Sequence, residues 1–205
     1  MAIIINELKK NIAFFDFDGT ITTNDSLLEM IRFSKGNAAF FVGFGILSPW
    51  LLAMKLKLAS NTKVKEMALR YFFGNLRVEK FNDMCTRFAD EKLPFIIRPG
   101  ALNEIQKHLS AGTEVVIVSA SPENYIGRWC KARNLSFICT KLEAKLNRLT
   151  GKIDGTNCSG NEKVSRITKM YNLSQYKEVF AYGDTPGDRP MLNLATRSYY
   201  KPFRN

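Results

Sequence analysis

Histidine is nearly absent from this chain of 205 residues, with His108 the sole copy. That excludes catalysts built on paired histidines. It also leaves a poor zinc set, because the four cysteines, at 85, 130, 139 and 158, form no CxxC pair. The cysteines are therefore expected to be reduced and mostly buried, in a cytoplasmic protein. His108 falls in a helical pattern between Leu102 and Leu109, where packing or solvation is its expected role. The N-terminal run MAIIINELKKN is too short in apolar residues, and has the wrong charge order, for a secretory signal. Acidic residues are also scarce, 19 against 30 Lys and Arg, for a net charge of +11 and a pI near 9.6. Such an excess points to polyanionic partners or to a phosphorylated substrate. Disorder is excluded by the 45% hydrophobic and 24% charged composition, which is that of a folded protein large enough for one substantial core.

A further absence is local. From Gly36 to Met54, GNAAFFVGFGILSPWLLAM, there is no charged residue for 19 positions, while Arg32 to Lys80 carries nine Lys or Arg and only two Glu. The run approaches the ~20 residues that span a bilayer but is interrupted at Gly43, Gly45 and Ser48-Pro49. Two short helices broken at Pro49 and packed in a helical unit are expected, with membrane contact as the alternative. Amphipathic helices follow at about 61 to 73 and 78 to 92, the second carrying Phe81, Met84, Cys85 and Phe88 at helical spacing.

What the chain does have is concentrated in residues 12 to 25, IAFFDFDGTITTND. Apolar residues from Ile12 run into Asp16, Phe17, Asp18 and Gly19, the pattern of a buried strand ending in a turn. Side chains at i and i+2 of an extended segment share a face, so Asp16 and Asp18 face one site beyond the sheet edge. A divalent cation or a shared proton would offset their repulsion. An ordinary Asp-rich turn is the competing explanation.

Beyond Pro99-Gly100 the chain alternates helices and strands. A helix over 101 to 110 precedes the strand EVVIVS, 114 to 119. Pro122 then starts a helix, with Ser121 as its cap. Further strands are expected at 137 to 140 and 178 to 182, a hairpin at 148 to 154 with Thr150-Gly151 in its turn, and helices at 161 to 171 and 190 to 195. Such units imply an α/β fold, a parallel sheet flanked by helices, with ligands beyond the strand carboxyl ends. Those ends carry Asp16 and Asp18, Ser119, and Asp184. Asp16 suits a nucleophile on phosphorus, and Asp18 suits an acid and base. The Ser119 hydroxyl and the amides of the turn at Ala120 suit phosphoryl oxygens. Lys163 is placed to supply fixed positive charge, and Asp184 with Asp188 completes an oxygen-rich site for Mg²⁺.

FFDFDGT, VVIVSAS with Ser119, Lys163 and YGDTPGD come in an order and spacing that resembles phosphatases of the haloacid dehalogenase superfamily, subfamily IB, in the branch similar to phosphoserine phosphatase. The resemblance implies a Rossmann-like core over residues 1–22 and 93–205 and an inserted all-helical cap of type C1 over 23–92. It implies phosphorylation of Asp16, Mg²⁺ held by the carboxylates of Asp16 and Asp184 and the backbone carbonyl of Asp18, and Asp188 supporting the metal waters or Lys163. Dehalogenation is disfavoured because that chemistry lacks the second aspartate, present here as Asp18. Phosphoserine phosphatases carry a glutamate shortly after the first motif to grip the substrate amine; here Asp25 stands at that place, where it can equally cap the helix from Ser26. The apolar, basic cap is also similar to that of bacterial phosphatidylglycerophosphate phosphatases, so the expected substrate is a small or lipid-linked phosphate monoester. Peripheral contact with the inner membrane surface through residues 36–57 is the corresponding expectation. A basic membrane- or nucleic-acid-binding module is the non-enzymatic alternative, although no recognised RNA or DNA motif is present and nucleic acid is not an expected partner.

Overall fold

The computed structural model describes residues 10–204, so the reading of the N-terminal run lies almost wholly outside the described residues. Six strands make one sheet: β1 (Ile12–Phe15), β2 (Glu114–Pro122), β3 (Ser136–Lys145), β4 (Arg148–Asp154), β5 (Val179–Gly183) and β6 (Arg197–Tyr200). Their order is β4-β3-β2-β1-β5-β6, parallel throughout except for the antiparallel β3–β4 pair. β1 lies centrally, paired with β2 and β5 along all four residues, and it is fully buried. Its alternation serves two layers. Ala13 and Phe15 join the core shared with α4 (Pro99–Ser110) and α5 (Glu123–Lys131), while Ile12 and Phe14 join that of α6 (Asn161–Met170) and α7 (Arg189–Leu192). His108 is buried, with its Nε2 2.8 Å from the Tyr182 hydroxyl and its ring edge-on to Phe15. All four cysteines are buried and unpaired.

Three helices, α1 (Ser26–Lys55), α2 (Asn61–Phe73) and α3 (Val78–Glu91), are inserted between β1 and β2. The two stems of the insert are tied by Thr23 N donating to Ile96 O at 2.7 Å and Arg98 N donating to Ile21 O at 2.8 Å. The β3–β4 hairpin reaches up to the insert, where Leu149 N donates to Leu76 O at 2.9 Å and Asn75 N donates to Leu149 O at 2.8 Å. At Gly151, whose φ is +82°, an added Cβ would lie 2.4 Å from the Arg70 Cα, so only glycine lets α2 approach the hairpin.

Several expectations are corrected. The apolar run does not break at Pro49. It is one helical stretch with a kink at Gly36, where φ 78° and ψ 166° suit glycine alone. Proline removes the hydrogen bond to the carbonyl four residues back, and here the Ser48 hydroxyl donates to that Gly45 carbonyl at 2.8 Å instead, so the helix continues. The hairpin turn lies at Leu146 and Asn147, both with positive φ, rather than at Thr150-Gly151. Ser121 does not cap α5, because its hydroxyl is held elsewhere. The last expected helix is shorter, a 3₁₀ turn at Pro186–Asp188 running into α7, and it is followed by the exposed edge strand β6, which has no apolar alternation to announce it.

Candidate active site

The carboxyl ends of β1, β2 and β5 converge as their sequence positions require. Asp16 ends β1 and is buried. Lys163, from the first turn of α6, places its Nζ 2.5 Å from Asp16 Oδ1, 2.7 Å from Asp188 Oδ1 and 2.8 Å from the Val118 carbonyl. Three donor contacts on one buried ammonium fix its position. Asp188 in turn accepts from Thr185 N at 2.9 Å and Thr185 Oγ1 at 2.7 Å. Thr20 bridges Asp16 Oδ2 at 3.1 Å and Asp184 Oδ1 at 3.4 Å. The carboxylates of Asp16, Asp184 and Asp188 each offer an oxygen within 4.8 Å of the others.

Asp18 points toward the insert. Its Oδ1 accepts from Ser26 N at 2.7 Å, and its Oδ2 accepts from Ser121 Oγ at 2.6 Å and Ser119 Oγ at 3.4 Å. Phe17 points the other way, edge-on to Trp129, which is the alternation that puts Asp16 and Asp18 on the pocket side. Gly19, with φ +80°, makes the close approach possible, since a Cβ there would lie 2.4 Å from Asp184 Oδ2.

Burial pushes the Asp16 carboxyl up to about 7 against the pull of Lys163, with Asp188 and Asp18 adding to the rise. Burial also pushes Asp188 up, but Lys163 and Thr185 outweigh it and hold the group below the usual carboxylate range. For Lys163 burial favours the neutral amine, and the two aspartates outweigh it, so the ammonium is held above the usual lysine value. Asp184 is raised by burial and by Asp188, opposed by Arg204, whose Nη2 lies 2.6 Å from its Oδ2.

All of the sequence-derived site residues, Asp16, Asp18, Asp25, Ser119, Ala120, Lys163, Asp184 and Asp188, are brought to one region. Asp25 is the N-cap of α1, its Oδ1 accepting from Leu27 N at 2.9 Å and Leu28 N at 3.0 Å, and it also lines the pocket. Four residues were missed. Thr20 and Ser121 lie inside the quoted motifs, so position alone could have found them. Lys65 and Arg204 carried no signal, because an isolated lysine in a helix or an arginine near the end of the chain reads as a solvated charge. Lys65 of α2 reaches across, donating to the Ala120 carbonyl at 2.5 Å and to Asn157 Oδ1 at 3.2 Å. Burial lowers its pKa, against the attraction of Asp18 and Asp25.

Asp16, Asp18, Asp25, Lys65, Lys163 and Asp188 are the charged lining of a cavity of about 360 Å³. Its opposite wall is apolar: Leu27, Ile31, Phe44, Leu51 and Met54 of α1 with Val64 of α2. Polar groups converging at one end of an apolar cleft fit a ligand with one strongly polar head.

The haloacid dehalogenase-like hydrolase family matches the chain over residues 13–193, and the chain belongs to that family. It is similar to Protein CicA of Caulobacter vibrioides, 31% identical over 192 residues, covering 93% of this chain and 85% of that one. Similarity to a histidinol-phosphatase of Neisseria meningitidis serogroup C is lower, 24%, covering 91% and 88%. Among solved structures, a protein of unknown function from Bordetella pertussis Tohama I superposes with a TM-score of 0.80 at 21% identity, covering 93% of this chain and 89% of that one. A substrate-bound phosphoserine phosphatase superposes with a TM-score of 0.69 at 19% identity, covering 95% and 87%. These superpositions establish the Rossmann-like fold of the family.

Proposed function

We propose that the chain is a Mg²⁺-supported phosphomonoester hydrolase acting through an aspartyl phosphate on Asp16. The observation that carries this reading is the buried Asp16–Lys163–Asp188 cluster, which joins the carboxyl ends of β1 and β5 to the first turn of α6 and shares one cavity with Asp18. An Asp16 oxygen attacks phosphorus in line with the leaving oxygen, forming an acyl phosphate and breaking the ester bond. Asp18, oriented by Ser26 N and Ser121 Oγ, gives its proton to the leaving oxygen and then takes one from the water that hydrolyses the acyl phosphate. Lys163 faces the charge that develops on the phosphoryl oxygens, and the turn at Ala120 and Ser121 borders the same space, while the buried Ser119 hydroxyl is engaged by Asp18 and the Ser121 amide and supports that turn.

The residues fit a hard divalent cation. Asp16 and Asp184 present carboxylate oxygens close together, the family resemblance would add the Asp18 backbone carbonyl as a third protein ligand, and Asp188 supports the site through Lys163. Such a cation supplies positive charge that keeps Asp16 ionised and neutralises substrate phosphate.

The three inserted helices act as a cap over residues 23–92, and the apolar wall favours a phosphate ester with an apolar leaving group. The second reading, an amine-bearing phosphate such as a phosphorylated amino acid, rests on the carboxylate of Asp25, which lines the same cavity. Steady-state kinetics on an aryl phosphate test the mechanism. Asp16→Asn lowers kcat by several orders of magnitude, and Asp18→Asn by about 10²- to 10⁴-fold through the lost proton transfer. Unchanged turnover by Asp16→Asn removes the proposal, and full activity in excess EDTA removes the metal.

A further inference from the structure

The outer face of α1 between the kink and Lys55 is apolar and open. Phe41 is 64% exposed, Val42 60%, Ile46 52%, Trp50 42% and Leu52 58%, and Leu56 and Leu58 extend the stripe past the helix end. These positions lie around one side of the helix. The other side is committed to protein: Phe40 and Leu47 are buried, Phe44 packs on Phe72 with ring centroids 5.6 Å apart, and a Cβ at Gly43 would lie 2.3 Å from the Phe72 ring. The inner side of this helix packs on α2, which favours an in-plane orientation, although length and composition alone would suit a bilayer-spanning segment. Contiguous apolar exposure of this kind on a folded chain marks a contact surface.

We infer that this face docks the protein in the plane of an anionic lipid bilayer, with Phe41, Ile46, Trp50 and Leu52 entering the interfacial region. Charge selects the occupant. No charged residue lies between Lys35 and Lys55, cations bound the stripe at both ends (Arg32 and Lys35, then Lys55 and Lys57), and the whole chain carries +11. Arg32 stacks over Phe40 at 4.4 Å, so its guanidinium is held beside the start of the stripe. An in-plane helix with an apolar face and flanking cations is the arrangement that partitions to acidic headgroups. A second copy of the chain would bring the same cations against each other, which disfavours self-association through this face.

The inference deepens the proposed activity and rests on it in one respect. Phe44, Leu51 and Met54, on the inner side of the same helix, line the apolar wall of the pocket. One helix thus carries the lipid-facing stripe outside and the wall for an apolar leaving group inside. The substrate class that suits both is a phosphate monoester with a membrane-soluble tail.

Vesicle binding tests the docking independently of hydrolysis. Full-length protein is sedimented with phosphatidylcholine vesicles and with vesicles of equal phosphatidylcholine and phosphatidylglycerol, at low and high salt, while Trp50 emission is followed in a Trp129→Phe background. The expected results are binding to the anionic vesicles, a blue shift of Trp50 and weakening by salt. Lys55→Gln/Lys57→Gln should reduce partitioning about 30-fold, at ~1 kcal/mol per cation. Ile46→Glu should abolish it while the melting temperature and the hydrolysis of a soluble aryl phosphate stay unchanged. Absence of binding to anionic vesicles overturns the inference, as does equal binding by Ile46→Glu. A stable dimer in which Trp50 is shielded without lipid also overturns it and assigns the face to a second copy. If docking holds and aryl phosphate is not hydrolysed, the catalytic reading fails alone.

Discussion

Asp25 offers a test in which the structure reverses the ordinary expectation for a helix cap. Removing an N-cap acceptor costs about 0.5–2 kcal/mol, so Asp25→Ala would be destabilising on that ground alone. The carboxyl, however, is pushed up from 3.8 to about 6, by burial and by Asp18, against the pull of the Leu27 and Leu28 amides and Lys65. The folded state therefore holds the proton more tightly than the unfolded chain. The ionisation penalty is absent below about pH 4, where both states are protonated, grows through the window from 3.8 to 6, and is complete above it. Two pKa units correspond to on the order of 3 kcal/mol. Asn keeps the carbonyl acceptor, ranks with Asp as a cap and carries no charge. Asp25→Asn is thus expected to leave stability unchanged at pH 4 and to raise it at pH 7, by about 6–12 °C in melting temperature for a chain of this size. At pH 7 Asp25→Ala combines the lost cap with the relieved charge and falls between wild type and Asp25→Asn, and at pH 4 it falls below both. Thermal melts in EDTA at half-unit steps from pH 4 to 7 measure the difference between variant and wild type, in which distant titrating groups cancel and only Asp25 and the groups facing it, Asp18 and Lys65, remain. A difference that does not vary with pH, or a less stable Asp25→Asn at pH 7, refutes the electrostatic reasoning. The same variant sorts the two substrate readings: a selective rise in KM for amine-bearing phosphates supports the second.

Lys163→Met leaves Asp16 and Asp188 buried without their cation; a melt in EDTA at pH 8 should show a loss of ~3–5 kcal/mol, and an unchanged melt would place the ammonium outside the balance of the fold. Arg204→Ala removes the guanidinium from Asp184, a half-exposed pair worth ~0.2–1 kcal/mol, so the Mg²⁺ concentration for half-maximal activity should fall about 1.5- to 5-fold with kcat retained. A rise in that concentration would assign Arg204 to holding the site together.

The core and the aspartates were legible because strand periodicity and turn chemistry are local. Four buried residues running into Asp16 force a strand, and the two-residue repeat places Asp16 and Asp18 on one side whatever surrounds them. Helices between β1 and β2 were legible from the helical spacing at 61 to 73 and 78 to 92, whereas the cap over 23–92 came from the family resemblance. What escaped depends on groups distant in sequence or on a side-chain substitute for a backbone bond. The helix survives Pro49 because Ser48 satisfies Gly45, a compensation that propensity does not weigh. Ser121 looked like a cap and serves Asp18, and Lys65 is indistinguishable in the sequence from the exposed Lys63 two residues earlier.

The basic composition and the acidic site are two sides of one electrostatic arrangement. Asp16, Asp18, Asp25, Asp184 and Asp188 gather at one end of the cavity, against Lys65, Lys163 and Arg204. Five carboxylates against three cations leave two negative charges when all are ionised. A phosphate monoester dianion would be repelled from such a floor even though the molecule as a whole is strongly positive, because at contact distances the local charges dominate and the distant ones are screened. The protein alone relieves the excess by taking up protons, which is the direction in which Asp16, Asp25 and Asp184 are shifted. A protonated Asp16 is no nucleophile. On the proposed reading, a divalent cation held by Asp16 and Asp184 would offset this excess, favour the ionised Asp16 carboxylate and leave the positive exterior free to draw phosphate toward the pocket. On that reading the oxygen-rich floor and the basic surface would serve successive stages of one encounter.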